Sequence, residues 1–181
     1  MTLLTWREAV TADRDALMRF SCTVLPPRGR YVTMRKRYPK PWEREVEAYI
    51  RDFRPPGPPD QKFFIGEDEQ GIGAVFAFVA DPPPDWLVKL QVVAVDNRYR
   101  GQGGAIADET ITLAMQTAFD TVASRGHEQA DIFGLVDVRN SASKQMCERH
   151  GFSCIGASSA QDDEYEQWSI AVTFDSARAK T

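Results

Sequence analysis

The sequence has little of what builds metal and disulfide chemistry. Its three cysteines, Cys22, Cys147 and Cys154, show no C-x-x-C spacing. An odd count without a pairing pattern argues against a disulfide framework or a zinc ribbon, and it predicts a reducing, cytoplasmic setting. The two histidines, His127 and His150, do not complete H-E-x-x-H, because Asp131 stands where the second would be. Zinc-hydrolase chemistry, and a metal site generally, are therefore not expected. No G-x-S-x-G occurs, which removes the commonest serine-hydrolase signature. Long apolar runs are missing too: stretches such as Val92 to Val95 fall far short of the ~20 residues a bilayer requires, so no membrane association is expected. The opening MTLLTWREAV places Arg7 and Glu8 where a secretory signal would be apolar. An excess of positive charge is also absent. With 22 Lys and Arg against 26 Asp and Glu, the net charge is −4.

What remains suffices for a folded core: 181 residues, 43% hydrophobic and 10% aromatic. These predict a single domain over 1–181, with a tail from about 175. Leu3 to Glu8 reads as a short strand, and Thr11 can cap a helix running through Leu17 and Phe20. Arg28 to Arg44 is a basic loop with Tyr31 and Tyr38 interleaved. A second helix starts at Pro41, and its Trp42, Val46, Tyr49, Ile50 and Phe53 recur at three and four, which predicts one buried stripe. The Pro-rich run Arg54 to Asp60 breaks the pattern. Lys62 to Glu67 and Ile72 to Ala80 then read as a hairpin around Asp68 to Gly71. VKLQVVAVD is an almost continuous apolar run and predicts a strand buried on both faces. A long helix with Ala107, Ile111, Ala114, Ala118 and Val122 on one stripe is stopped by Gly126. A strand from Asp131 to Val138, a short helix from Asn140 to His150 and two closing strands complete a mixed α/β sheet.

The junction of the buried strand and the long helix holds the chemistry. Arg98-x-x-Gly101-x-Gly103, followed by Gly104 and Ala105, puts a glycine turn at a helix N-terminus, where unpaired amides and the positive end of the helix dipole converge. Phosphate oxygens could reach those amides, with Arg98 and Arg100 adding charge-assisted contacts. Ile106 stands where a dinucleotide fingerprint needs glycine, and the Gly-Lys-Ser/Thr of a P-loop is absent. The turn alone leaves two readings open, a phosphate cradle or a tight strand-to-helix turn with no ligand.

VVAVDNRYRGQGGA resembles the acyl-CoA-binding motif of the GNAT superfamily of N-acetyltransferases. Asn140, followed eleven and twelve residues later by Gly151-Phe152, resembles that superfamily's next element. The resemblance spans nearly the whole chain and is specific from about Lys89 to Phe152. It implies a GNAT-type α/β fold: a mixed, largely antiparallel sheet of about seven strands flanked by about four helices.

It also implies roles by position. Val93 and Val95 would pair through their backbones with the pantetheine arm of acetyl-CoA, the amide of Val93 facing the developing oxyanion. Amides from Arg100 through Gly101, Gln102, Gly103 and Gly104 to Ala105 would hold the pyrophosphate, and Asn140 would contact the cofactor arm. Core packing is the plain alternative for the valines, and an N-cap for Asn140. Cys147 occupies the position of the usual tyrosine general acid, with a small buried side chain as its alternative. No carboxylate lies between Asp85 and Asp96 to act as base, so a water chain or a carboxylate from elsewhere, such as Glu67 or Asp137, would take the proton. The implied activity is transfer of acetyl from acetyl-CoA to the primary amine of a small molecule in a ternary complex, by a monomer or homodimer. Two other readings stand beside it. One is a catalytically weak or inactive acyl-CoA-binding module. The other is an enzyme acting on a protein N-terminus or aminoacyl-tRNA, whose nucleic acid would meet the basic Arg28 to Lys40 loop. The acidic QDDEYE stretch near the C-terminus would instead attract a cationic acceptor.

Overall fold

The computed structural model describes residues 4–24, 40–80, 86–159 and 162–173. The basic loop over residues 28–39 and the tail from 175 lie outside the described residues. Seven strands form one sheet: β1 (Thr5–Glu8), β2 (Gln61–Asp68), β3 (Gly71–Ala80), β4 (Leu87–Val95), β5 (Gln129–Asp137), β6 (Ser153–Ser159) and β7 (Asp162–Thr173). Four α-helices are present among the described residues: α1 (Arg14–Arg19), α2 (Pro41–Asp52), α3 (Ala105–Ala123) and α4 (Ser141–Arg149). The strand order is β1-β2-β3-β4-β5-β7-β6, antiparallel except where β4 meets β5.

The sheet has a core on each face. The α3 stripe of Ile111, Ala114, Met115, Ala118, Phe119 and Val122 packs with Phe76, Phe78, Val88 and Ile132. On the opposite face Leu17, Phe20, Ile50 and Phe53 meet Phe63, Ile65, Val75 and Val92. Central β3 is covered from both sides, so it carries the near-continuous apolar run GIGAVFAFVA.

β4 differs from the expectation of burial on both faces, because Lys89 and Gln91 are exposed. Its register against β3 shifts by one residue, from Phe78↔Leu90 to Ala77↔Val92, and leaves Gln91 as a bulge. The bulge resets the alternation, so Val92 and Ala94 join the α2-side core while Val93 packs against the α3 side.

Two helices also differ from expectation. Thr11 opens a 3-10 turn (Thr11–Asp13) rather than capping α1, and the Asp13 carboxylate accepts from the Val10 amide at 2.8 Å. The predicted buried stripe of α2 is shared with two carboxylates, Glu43 and Glu47, which are themselves buried. Glu47 accepts from the amides of Cys22 and Thr23 at 3.1 and 3.0 Å and pairs with Arg51 at 2.7 Å, so its charge is satisfied where it lies. No helix among the described residues is long and apolar enough to cross a membrane.

Candidate active site

The parallel pairing of β4 with β5 covers only Leu87↔Asp131 through Leu90↔Gly134. Beyond that point the strands diverge, and residues 91–95 have no partner on β5. The opening leads into a cavity of about 1100 Å³ walled by the outer half of β4, the glycine turn, the C-terminal end of β5, α4 and one face of α2.

The turn is built by three glycines in the left-handed region, Gly101, Gly103 and Gly104, at φ +76°, +79° and +82°. A Cβ at Gly101 or Gly103 would meet nothing within 4 Å, so the space above the turn is open. The glycines are therefore required by the backbone conformation, not by local crowding. Asp96 starts the turn by accepting from the amide of Arg98 at 3.0 Å, and Gly104 stands at the N-cap of α3. Among the described residues no carbonyl accepts from the amides of Gly101 to Gly104. This concave row of free donors at the positive end of a 19-residue helix fits a diphosphate.

Each sequence-expected residue has a definite place. Val93 and Val95 pair with Phe76 and Ala74 of β3 and line the opening on their other side. Arg98 does not line the cavity. Its Nη2 donates to Asp68 at 2.8 Å and to the Gly71 carbonyl at 2.9 Å, so the guanidinium is tied to the β2–β3 turn and the expected phosphate contact falls away. Arg100 lines the wall, but its guanidinium faces α2, donating to Glu43 at 2.8 Å and to the Cys22 carbonyl. Gln102 donates to the Arg98 carbonyl at 2.9 Å. Ala105 begins α3 beside the open amides. Asn140 caps α4, its Oδ1 accepting from the Ser143 amide at 3.3 Å, and it also lines the cavity. Cys147 is buried against Phe152 and Trp168, and burial pushes its thiol up to about 11, so it stays protonated at neutral pH.

The base candidates fare differently. Glu67 pairs with Arg7 at 2.8 Å and is remote from the cavity. Asp137 lines it, but Arg139 grips both carboxylate oxygens, at 2.9 and 2.6 Å, and donates its amide as well. These bonds hold the Asp137 carboxyl below its ordinary range despite burial, which makes it a weak proton acceptor. The acidic QDDEYE residues lie on β7 from Asp162 onward. Within them Glu166 is paired with Lys144 at 2.8 Å, and the Tyr165 phenol donates to Glu45 of α2.

Sequence reasoning missed several wall residues. Arg149, in the last turn of α4, donates to Asp108 at 2.6 Å, and its Nη2 lies 3.8 Å from where a Gly104 Cβ would be. It is thus the cation beside the glycine turn that Arg98 is not. A basic residue two positions before Gly151 was its only sequence signal. Trp42, Glu45 and Tyr49 form the cavity face of α2, and three-and-four periodicity does not distinguish a cavity wall from a core. Tyr49, Gln61 and Gln91 form a hydrogen-bonded cluster over the β4 bulge, with Gln61 Nε2 at 2.6 Å from Gln91 Oε1. No group of three or more His, Cys, Asp or Glu among the described residues is placed to hold a metal ion.

No family model matches the chain, and no curated protein matches it. Solved structures do, along nearly its full length. The PaiA N-acetyltransferase of Thermoplasma acidophilum, in complex with coenzyme A, superposes with TM-score 0.64 at 11% identity, covering 94% of this chain and 100% of that one. The spermidine/spermine N-acetyltransferase SpeG of Vibrio cholerae gives 0.57 at 14% identity, covering 98% and 99%. A protein assigned to the GNAT acetyltransferases from Desulfovibrio desulfuricans gives 0.60 at 13%, covering 94% and 98%. The chain has the fold of the GNAT acetyltransferases, a seven-stranded, mostly antiparallel mixed sheet with four helices among the described residues.

Proposed function

We infer that the chain is an N-acetyltransferase that moves acetyl from acetyl-CoA to a primary amine of a small molecule. The observation that carries this reading is the divergence of β4 from β5 beside a turn of unpaired glycine amides, two elements that serve one ligand with a diphosphate at one end and an extended arm at the other. A coenzyme A complex of a protein with this fold and small-amine enzymes such as SpeG among its structural neighbours support it.

Amides from Gly101 to Ala105 would hold the diphosphate, the Arg100 amide being already bonded to the Asn97 carbonyl at 3.1 Å, with Arg149 adding a cation beside Gly104. Backbone groups of Val93 and Val95 would align the arm along the open edge of β4. Acetyl-CoA supplies an activated thioester: the amine nitrogen bonds the carbonyl carbon, the C–S bond breaks, nitrogen sheds a proton and the thiolate gains one. The Val93 amide would face the oxyanion that develops on the way. Asn140 would orient the arm from the start of α4. Cys147 keeps its proton, but its burial makes it a wall residue first, so the thiolate can take its proton from water.

That burial favours a second reading, an acyl-CoA-binding module with weak or no turnover. Calorimetric titration with acetyl-CoA, followed by thiol release across an amine panel, separates the two. Micromolar binding with amine-dependent thiol release is the expected result. Binding without release would leave the module, and absence of binding would overturn both.

A further inference from the structure

Among the described residues, one carboxylate of the cavity has no cation paired with it. Among the described residues four acidic side chains line it, Glu43, Glu45, Asp108 and Asp137. Arg100 lies 2.8 Å from Glu43, Arg149 2.6 Å from Asp108 and Arg139 2.6 Å from Asp137. Glu45 instead accepts from the Tyr165 phenol, a neutral partner. The hydrogen bond to Glu45, together with burial, pushes that phenol up to about 12, so Tyr165 remains a donor and never neutralises the charge. Glu45 is exposed at the cavity mouth, where a ligand can reach it.

The surroundings suit an organic cation. Trp42 precedes Glu45 by three residues on α2 and Tyr49 follows by four, so both rings share its helix face, and both line the cavity. Trp42 already draws two cations, with Lys40 Nζ 5.4 Å and the Arg139 guanidinium 5.5 Å from its ring centroid. A carboxylate between such rings binds an alkylammonium through its charge and its methylenes together. Chemistry adds a constraint, because a nitrogen held as an ammonium has no lone pair with which to attack a thioester. The anchored nitrogen and the acylated nitrogen must be different atoms.

Resting on the acetyltransferase reading, we propose that Glu45 determines acceptor specificity by binding a protonated amino group, so that the acceptor is a small molecule with at least two amino groups, one anchored and one acylated. Tyr165 occupies Glu45 until the acceptor arrives. Lys89, exposed on the β4 wall, is the charge that a carboxylate-bearing acceptor would seek instead.

Equilibrium binding of butane-1,4-diamine, butylamine and 4-aminobutanoate to the whole chain, with and without coenzyme A, tests this directly. The diamine is expected to bind at least tenfold more tightly than either competitor. Glu45→Gln should abolish that preference while the coenzyme A affinity stays within threefold, and Tyr165→Phe should preserve it. Equal affinity for diamine and butylamine, tightest binding of 4-aminobutanoate, or a preference that survives Glu45→Gln would each overturn the proposal. The ligand comparison needs only the unaltered protein, so it stands even if a variant misfolds. Glu45-dependent diamine binding in a protein that does not bind coenzyme A would remove the acetyltransferase reading and leave the diamine site.

Discussion

Arg98 shows how a motif position can serve the scaffold. Its guanidinium bridges Asp68 and the Gly71 carbonyl, while the neighbouring Tyr99 phenol donates to the same Asp68 carboxylate. The Tyr99 bond, with help from Arg98, holds that carboxyl below its ordinary range. The pair lies so close on β3 that a Cβ at Gly73 would sit 2.7 Å from the Tyr99 ring. Arg98→Ala is therefore expected to lower the melting temperature by roughly 3–8 °C, the scale of two lost charge-assisted hydrogen bonds that are partly screened by solvent. Its acetyl-CoA affinity should stay within about threefold, since the side chain never enters the cavity. Arg149→Ala should do the reverse, weakening acetyl-CoA by about tenfold with little change in melting temperature, the size of one charge-assisted phosphate contact. Thermal melts and calorimetry on both variants check this. An Arg98→Ala protein that melts normally but loses acetyl-CoA would return that residue to the phosphate site.

At the scale of elements, α2 depends on buried charge for its position. Burial raises the Glu47 carboxyl, but hydrogen bonds from the Thr23 side chain and amide, from Ser21 and the nearby Arg51 outweigh it, and the net shift is downward from 4.5. A carboxyl depressed in the folded state adds stability above its unfolded value and loses it as pH falls through the folded one. Stability should thus be level above about pH 5.5 and decline below about 4.5. Glu47→Ala should cost about 2–3 kcal/mol at neutral pH by stranding donors on Ser21, Cys22 and Thr23, and it should flatten part of the acid decline. Urea melts at pH 7 and pH 4 measure both, and an unchanged acid slope would show that Glu47 does not anchor α2. The same helix marks what the sequence could disclose. Its existence and its Pro41 start were legible from periodicity and proline chemistry, as were the glycine turn and the strand before it, because each rests on local rules. Glu43, Glu45 and Glu47 were not legible, since their partners lie on residues 21–24, Arg100 and Tyr165, brought close only by the fold. The β4 bulge escaped notice for a related reason: a register shift needs the partner strand, and VKLQVVAVD read alone is simply apolar.

On the scale of the whole molecule, the sheet is two halves joined by a narrow seam. β1 to β4 form one half and β5, β7 and β6 the other, with four residue pairs between β4 and β5 and α3 packed across both. A ligand lying in the opening would touch β4 and the glycine turn on one side and α4 on the other, and so would bridge halves that the seam alone joins weakly. Binding to the folded state alone stabilises by mass action, about 2.7 kcal/mol at a hundredfold excess over Kd. For a chain of this size that corresponds to a rise of roughly 5–10 °C in melting temperature. The gain should be local as well as global. Hydrogen exchange with saturating acetyl-CoA is expected to slow at least tenfold at amides 101–104 and at those of residues 91–95 that face the opening, because both sets gain acceptors. Exchange within β3 should hardly change, its amides being already paired on both sides with β2 and β4. Protection confined to α2, or a higher melting temperature with no slowing at the glycine turn, would mean that acetyl-CoA binds somewhere other than the divergence of β4 and β5.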